Sequence, residues 1–214
     1  MDAPLPVPAG TAASACLPVP AGTMAGMPPD AEQRRPLVVS LEIGEAAQAR
    51  FDAERAALFP PGRTVLGAHL TLFHAVPASI EPAVLADLAE VAAGYRPFGI
   101  EVPELMPLGR GVAYRLDSAE LLALHRGLQS RWWDRLTAQD RQGFRPHVTV
   151  QNKVDPDLAR RTLAQLRERF TPFATTARAV RLWRYDGGPW TALARFPFGA
   201  GQPATGGRSP DGSG

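Results

Sequence analysis

The chain has 214 residues, 45% of them hydrophobic, which is enough to bury a substantial core in one domain or in two small lobes. Its single cysteine, Cys16, excludes an internal disulfide framework and a cysteine-based zinc site, and with no secretory signal it favours a cytoplasmic location. No apolar run approaches the roughly 18 residues of a membrane helix, so we expect a soluble protein, and a formal net charge of +2 is weak support for nucleic-acid binding.

Both ends of the chain are predicted to be disordered tails. Residues 1–35 are rich in Pro, Ala and Gly and contain a short repeat, Leu5–Thr11 and Leu17–Thr23, while residues 200–214 are rich in Gly, Pro and Ser. Such segments cannot bury enough apolar surface to offset the entropy that is lost on ordering. The predicted folded domain therefore spans residues 36–199.

The first half of this domain alternates between strand and helix patterns. Glu45 to Leu58 has an Ala-rich helical pattern and is followed by prolines and a glycine that end a helix. Pro82 suits the first turn of a second helix, which runs to about Ala93. The predicted strands are Leu37–Ile43, a segment around His69, Phe98–Val102 and Val112–Leu116.

The second half of the domain repeats this order. Asp117 and Glu120 have the spacing of a capping box at a helix start. The apolar face of that helix is formed by Leu121, Leu124, His125, Leu128 and Trp132. The elements that follow are a strand around His147, a helix from Asp155-Pro156 to about Phe170, and the strands Val180–Tyr185 and Trp190–Phe196. Because each half holds a helix, a histidine-bearing strand and a second helix, we predict two similar α+β lobes related by a pseudo-twofold axis, with both histidine-bearing strands facing a central cleft.

The two histidine-bearing strands carry the same motif, His-x-Thr. The first copy joins His69 to Thr71, and the second joins His147 to Thr149. Successive side chains of a strand point to opposite faces, so each histidine shares a face with its threonine while the apolar neighbours point the other way. Buried imidazoles and hydroxyls need partners or a ligand, and the matched copies favour a functional pair over two ordinary strand histidines.

Two imidazoles that face one cleft provide a general acid and a general base. Opening a cyclic phosphodiester requires a deprotonated water and a protonated ribose leaving oxygen on opposite sides of phosphorus, and histidine supplies both forms near neutral pH. Our hypothesis gives His147 the role of base and His69 the role of acid. Thr71 and Thr149 would donate to the non-bridging phosphate oxygens, where negative charge accumulates.

Three residues near the second motif are candidates for an auxiliary role. By strand alternation, Gln151 and Lys153 continue the face of His147, so Lys153 either neutralises a phosphate or is solvated beyond the end of the strand. Arg145 precedes the motif and either binds a second phosphate or lies on the surface.

Three further aromatic rings lie on the predicted elements. Phe73 shares the face of His69, where it either stacks on a base or packs in the core. His74 alternates to the opposite face from His69 and is predicted to be structural. His125 lies on the apolar face of its helix, where a packed histidine is the default.

The two motif segments resemble the paired signatures of a known family. His69-Leu-Thr71-Leu-Phe and Arg145-Pro-His147-Val-Thr149-Val are similar to those of the two-histidine (2H) phosphoesterases, in their bacterial 2′-5′ RNA ligase-like branch. The resemblance spans roughly Pro36 to Phe198. The chain departs from many members in the Val-Gln-Asn-Lys segment after the second threonine, which leaves the substrate unassigned.

This resemblance implies a fold, an activity and a partner. The fold is bilobal and pseudo-twofold, with antiparallel-rich sheets, a central cleft and helices outside. The activity is metal-independent hydrolysis of 2′,3′-cyclic phosphodiesters on RNA ends or nucleotides, or the joining of RNA ends through a 2′-5′ linkage, with no cofactor. The expected partner is an RNA end or a nucleotide that carries a cyclic phosphate, and the expected form is a monomer that does not bind membranes.

Other classes of function remain open from the sequence. The main alternative is a non-catalytic module that binds a nucleotide or RNA on the same fold. A metal hydrolase is less favoured because no recognisable spacing supplies further ligands beside the two motif histidines. A serine or cysteine nucleophile is disfavoured because there is no Gly-x-Ser-x-Gly motif and Cys16 lies in the predicted tail.

Overall fold

The computed structural model describes residues 35–60 and 66–199. The tails predicted for residues 1–35 and 200–214 lie outside this part of the chain, except for Arg35. Within the described ranges, seven strands and four helices follow in the order β1 (Leu37–Ile43), α1 (Glu45–Leu58), β2 (Leu70–Val76), α2 (Glu81–Gly94), β3 (Phe98–Pro107), β4 (Val112–Asp117), α3 (Ala119–Trp132), β5 (His147–Gln151), α4 (Pro156–Glu168), β6 (Phe173–Tyr185) and β7 (Trp190–Pro197). Short 3₁₀ turns precede α2 and follow α3.

Local sequence signals begin α3 and α4. Asp155 caps α4, because its carboxylate accepts hydrogen bonds from the backbone N–H groups of the first turn, and Pro156 fits the first helical position. At α3 the cap is Ser118 and not Asp117: the Ser118 hydroxyl accepts from the N–H of Leu121 at 3.4 Å. Asp117 is the last residue of β4, so the predicted capping box is displaced by one residue.

The strands form one antiparallel sheet in the order β2-β1-β6-β3-β4-β5, and β7 also pairs with β6. The long strand β6 is shared by two lobes, because its first part pairs with β3 and its second part lies between β1 and β7. The two motif strands, β2 and β5, end this path on opposite sides and nevertheless contact each other. The sheet therefore curves until its two ends meet, and the predicted bilobal α+β fold is confirmed.

The helices pack on the outside of this sheet and brace the two lobes. Helix α1 packs against β5, α2 against β6 and β7, and α4 against β3 and β4. Because α1 comes from the first half of the chain and β5 from the second, α1 holds the two lobes together. No helix in the described ranges is both long and apolar enough to span a membrane.

The predicted apolar face of α3 is confirmed, and its histidine is part of the core. All five predicted residues of that face are buried. The His125 ring stacks between Phe73, with ring centroids 4.6 Å apart, and Phe144, with ring centroids 4.1 Å apart. His125 is therefore a structural residue, and Phe144 ties the segment before the second motif to this core.

The burial of His125 predicts a loss of stability in acid. Burial lowers the pKa of His125 to about 4, although a hydrogen bond with the backbone of Leu72 opposes the shift. The unfolded chain binds the proton near pH 6.5, so between pH 6.5 and 4 it holds more protons than the folded chain. The free energy of unfolding should fall by about 3 kcal/mol across that window. Urea unfolding of the wild type and of His125→Phe at pH 7 and pH 4 measures this, and equal pH slopes would contradict it.

Candidate functional site

The two His-x-Thr motifs have the same pattern of burial. His69 and Thr71 are partly exposed, as are His147 and Thr149, whereas the apolar residue within each motif is buried. This agrees with the alternation predicted for a strand. Each motif therefore presents an imidazole and a hydroxyl on one accessible face.

The two imidazoles are held by equivalent hydrogen bonds. Nδ1 of His69 lies 2.8 Å from the carbonyl oxygen of Gly67, and Nδ1 of His147 lies 2.8 Å from the carbonyl oxygen of Arg145. A carbonyl oxygen only accepts hydrogen bonds, so Nδ1 carries the hydrogen in both rings. Each neutral ring therefore has an unprotonated Nε2 as its second, available nitrogen.

Helix α1 fixes the backbone that precedes His69. The Asp52 carboxylate accepts from the N–H of Ala68 at 2.6 Å, and the Gln48 amide donates to the carbonyl oxygen of Ala68 at 2.7 Å. A Cβ at Gly67 would lie 2.8 Å from Oδ1 of Asp52, so a larger residue there would displace the carboxylate that binds the N–H of Ala68. This contact holds the carbonyl group of Gly67 in place for the His69 ring.

Arg55 of α1 joins both motif segments and was missed by the sequence analysis. Its Nε donates to the carbonyl oxygen of Leu66 at 3.0 Å, and its Nη1 donates to that of Thr149 at 2.8 Å. The guanidinium is buried and lies 3.9 Å above the ring of Phe59. Its sequence signal is its spacing, since Arg55 continues the buried stripe of α1 after Ala47 and Phe51.

The surroundings of His69 favour its neutral form. Burial lowers the pKa of His69, the hydrogen bond to Gly67 opposes this, and the positive charges of Arg55, His74 and His147 lower it further. His69 is therefore a neutral imidazole at pH 7.

A β-bulge in β2 changes the positions of Phe73 and His74. Adjacent residues of β1, Val39 and Ser40, pair with Phe73 and Thr71, so β2 holds one extra residue. The extra residue reverses the alternation. Phe73 is fully buried and cannot stack on a base, so of its two predicted roles the structure supports packing in the core. His74 is exposed on the accessible side, so its predicted structural placement is corrected.

A matching bulge in β5 moves Gln151 away from the site. Val112 pairs with Gln151 and the next residue, Ala113, pairs with Thr149, so β5 also holds an extra residue just after its motif. Gln151 is buried, and its amide donates to Oγ1 of Thr162 in α4 at 3.0 Å. Gln151 therefore packs beneath α4 and does not continue the face of His147, contrary to the prediction.

The other two auxiliary candidates have different surroundings. Lys153 is exposed, has a positive φ of 60°, and lies with Arg55, Phe59 and Asn152 around a separate hollow beyond the end of β5. Arg145 is exposed and lines the same pocket as His147. Of the predicted cations, the structure therefore brings Arg145 and not Lys153 into the pocket of His147.

Two pockets flank the motifs. The His69 pocket has a volume of about 520 Å³, and its lining includes Ser40, Glu42, Asp52, Arg181, Trp183 and Trp190. The His147 pocket has a volume of about 450 Å³, and its lining includes Thr71, His74, Gln139, Asp140, Gln142 and Arg145. Because Thr71 of the first motif and His147 of the second line one pocket, the two motifs converge.

Tryptophans form one wall of the His69 pocket. The ring of Trp190 lies 4.7 Å from the His69 ring, centroid to centroid, and Trp183 lies 6.0 Å from Trp190. Nε1 of Trp183 donates to the hydroxyl of Ser40 at 2.8 Å, and the Arg181 guanidinium lies 4.3 Å above its ring. This wall presents flat apolar surface of the kind that stacks on a nucleobase.

The motif side chains retain free hydrogen-bonding capacity. In the described part of the chain, neither the Thr71 nor the Thr149 hydroxyl has a hydrogen-bond partner. No group of three or more His, Cys, Asp or Glu side chains within these ranges is placed to hold a metal ion. Two imidazoles with available Nε2 atoms and two unpartnered hydroxyls can transfer protons and donate to an anionic ligand.

Several solved structures have a similar fold. They include TT0787 of Thermus thermophilus, with 19% identity over 77% of this chain and 98% of that chain and a TM-score of 0.57. A phosphoesterase has 20% identity over 77% of this chain and 98% of its own, with a TM-score of 0.50. E. coli LigT complexed with 3′-AMP has 20% identity over the same shares, with a TM-score of 0.49.

Sequence comparison gives the family. No curated protein sequence matches the chain. The sequence profile of the 2′-5′ RNA ligase superfamily matches residues 42–189, which include both His-x-Thr motifs and most of the domain. The match covers more than half of the chain. The chain therefore belongs to the 2′-5′ RNA ligase superfamily.

Proposed function

We propose that residues 36–199 form a metal-independent phosphodiesterase that opens 2′,3′-cyclic phosphodiesters of RNA ends or nucleotides. The supporting observation is the matched pair of imidazoles, in which His69 and His147 each bind a backbone carbonyl through Nδ1 and leave Nε2 available. Membership of the 2′-5′ RNA ligase superfamily agrees with a phosphodiester substrate.

The reaction needs one neutral and one protonated imidazole. His69 takes the proton from the attacking water, because its lowered pKa keeps its Nε2 free to accept at pH 7. His147 donates a proton to the ribose oxygen as its bond to phosphorus breaks. This assignment reverses the roles suggested by the sequence, which contained no information on the burial and neighbouring charges of His69.

The threonines stabilise the charge that develops on the phosphate. The hydroxyls of Thr71 and Thr149 donate to the non-bridging oxygens, whose negative charge increases when water adds to phosphorus. Ligation is the same ring opening with the 5′-hydroxyl of a second RNA end in place of water: His69 takes its proton, its oxygen bonds to phosphorus, and the 3′ oxygen leaves with a proton from His147. A 2′-5′ RNA ligase activity is therefore compatible with the site and is the second activity that we propose to test.

A substrate panel tests the activity. The panel contains the four 2′,3′-cyclic nucleotides and RNA oligomers ending in a 2′,3′-cyclic phosphate, with each product resolved as a 2′- or a 3′-phosphate. We expect turnover to a single regioisomer, because the acid protonates one defined ribose oxygen. Binding of these compounds with no turnover of any of them would favour the non-catalytic nucleotide-binding module instead.

A further inference from the structure

A third histidine, His74, lies in the His147 pocket and has no role in the proposed reaction. The Asp140 side chain is 1% exposed and accepts hydrogen bonds from the backbone N–H groups of His74 and Ala75, both at 2.9 Å. It also lies 3.2 Å from Nδ1 of His74. The His74 side chain itself is 48% exposed. A buried carboxylate thus orients an accessible imidazole.

The charge state of Asp140 fixes the orientation of this ring. Burial raises the pKa of Asp140, but the hydrogen bonds from the His74 ring and from the N–H groups of His74 and Ala75 outweigh it and leave the pKa below its ordinary value. An ionised carboxylate only accepts, so Nδ1 of His74 carries the hydrogen. Nε2 of His74 is the nitrogen left for a ligand in the His147 pocket. In the imidazolium form, whose charge the Asp140 carboxylate balances, Nε2 carries a hydrogen that it can donate to a phosphate oxygen.

Arg145 adds a second cationic donor to the His147 pocket. Its side chain is exposed, and no carboxylate in the described part of the chain pairs with it. The two carboxylates that share a neighbouring hollow with Arg145 are Glu104 and Asp117, and both bind Arg115. The guanidinium of Arg145 is therefore free to bind an anion.

The two pockets differ in the charge that they present. The His69 pocket is lined by Glu42, Glu45 and Asp52 and by one guanidinium, that of Arg181. Arg195 pairs with Glu42 and Arg178 with Glu45, so the His69 pocket offers no unpaired cation besides Arg181 among its lining residues. The His147 pocket contains one carboxylate, whose charge is already met by three donors, and several cationic or imidazole side chains. A second phosphate is therefore better accommodated in the His147 pocket, whereas the tryptophan wall of the His69 pocket suits a base.

We propose that the His147 pocket is a subsite for a second phosphate, bound by His74 and Arg145, with Asp140 as the residue that positions His74. This inference rests on the proposed function for the identity of the reacting group. A 2′,3′-cyclic phosphate occupies the 3′ end of its chain, so the nearest other phosphate is the one on the 5′ oxygen of the same nucleoside. That phosphate is either the 5′-phosphate of a free nucleotide or the phosphodiester that joins the terminal nucleoside to the preceding nucleotide of an RNA strand.

Binding of two product analogues tests the subsite without requiring turnover. Calorimetry compares uridine 3′-monophosphate with uridine 3′,5′-bisphosphate on the full chain. The bisphosphate should bind about tenfold more tightly, because an ionic hydrogen bond to phosphate is worth about that factor. His74→Gln and Arg145→Gln should each remove most of this gain. Arg160→Gln, which changes an exposed arginine of α4, should keep it. Equal affinities for the two ligands, or a gain retained in both subsite variants, would overturn the proposal.

Turnover separates the subsite from the proposed function and identifies the source of the phosphate. The substrates are uridine 2′,3′-cyclic phosphate, its 5′-phosphorylated form, and a dinucleotide ending in the same cyclic phosphate. Higher kcat/KM for both phosphate-bearing substrates supports the subsite, and a further increase for the dinucleotide identifies RNA. Equal kcat/KM for all three overturns the subsite alone. A tenfold binding gain with no turnover overturns the proposed phosphodiesterase and leaves the phosphate subsite.

Discussion

Replacement of His147 by Ala is expected to lower kcat/KM for a 2′,3′-cyclic nucleotide by about 10³-fold, and His69→Ala should cause a loss of similar size. Each variant removes one of the two proton transfers. Because the two groups act in one step, the double variant should lose little more than either single variant. Steady-state kinetics with purified proteins gives these ratios, and retention of more than a tenth of wild-type activity in either single variant would contradict the assignment.

A substrate with a different leaving group separates the acid from the base. A p-nitrophenyl phosphodiester releases a stable phenolate, so its hydrolysis does not need a protonated leaving group. With this substrate His147→Ala should lose much less activity than His69→Ala, whose missing base is still required. The opposite order would restore the roles suggested by the sequence.

The matched control for both variants is His125→Phe. This change also removes an imidazole, but from the stack between Phe73 and Phe144 in the core. We expect its kcat/KM to stay within about threefold of the wild type, since the His125 ring is buried at the edge of the His147 pocket and takes part in neither proton transfer. A large loss in this variant would show that the histidine effects come from the fold and not from proton transfer.

Replacement of Arg55 by Met is expected to affect both stability and pH dependence. The variant leaves the carbonyl oxygens of Leu66 and Thr149 without their donor, which should lower the free energy of unfolding by about 2 kcal/mol. It also removes a positive charge that lowers the pKa of His69, so that pKa rises. The acid limb of kcat/KM, where His69 must lose its proton, should therefore move to higher pH.

Arg55→Lys is the control that separates these two effects. Lysine keeps the positive charge but cannot reach two carbonyl groups with a planar fork. The lysine variant should therefore lose stability as the methionine variant does, while its acid limb stays close to that of the wild type. Urea unfolding and a pH profile of kcat/KM measure both quantities. An acid limb in Arg55→Met at the same pH as in the wild type would contradict the electrostatic role of Arg55.

Regular elements and both motifs could be predicted from the sequence because their signals are local. The bounds of β1 and α1 agree with the prediction, and the apolar spacing on α3 identified its buried face. The repeated order of helix, motif strand and helix was enough to predict two lobes. The continuous sheet was harder to predict from the sequence, because the pairing of β6 with β1 joins residues far apart in the chain.

Strand alternation failed beyond each threonine for one physical reason. A bulge follows both motifs, and a one-residue insertion reverses the face of the side chains directly after it. In β2 a second register shift, opposite Leu37 and Val39, returns Val76 to the buried face. Phe73 and Gln151 consequently moved to the core, and His74 moved to the accessible face. Neither bulged segment, Thr71–Phe73 or Thr149–Gln151, contains a glycine or proline that would indicate it.

Arg55 and the tryptophan wall depend on tertiary structure. Arg55 contacts backbone carbonyl groups, which every residue has, so no side-chain motif identifies its partners. Trp183 and Trp190 reach the His69 pocket because β6 and β7 pair beside β1. From the sequence alone, Trp183 and Trp190 fit either the lining of the cleft or ordinary packing beside the turn.

The central claim is that two imidazoles open a cyclic phosphodiester without a metal ion. The most direct measurement is hydrolysis of uridine 2′,3′-cyclic phosphate by wild-type protein dialysed against EDTA, with His69→Ala assayed in parallel. Catalysis by two imidazoles predicts the same kcat/KM with and without EDTA and almost none in the variant. Loss of wild-type activity in EDTA and its recovery on addition of a divalent metal ion would contradict this mechanism.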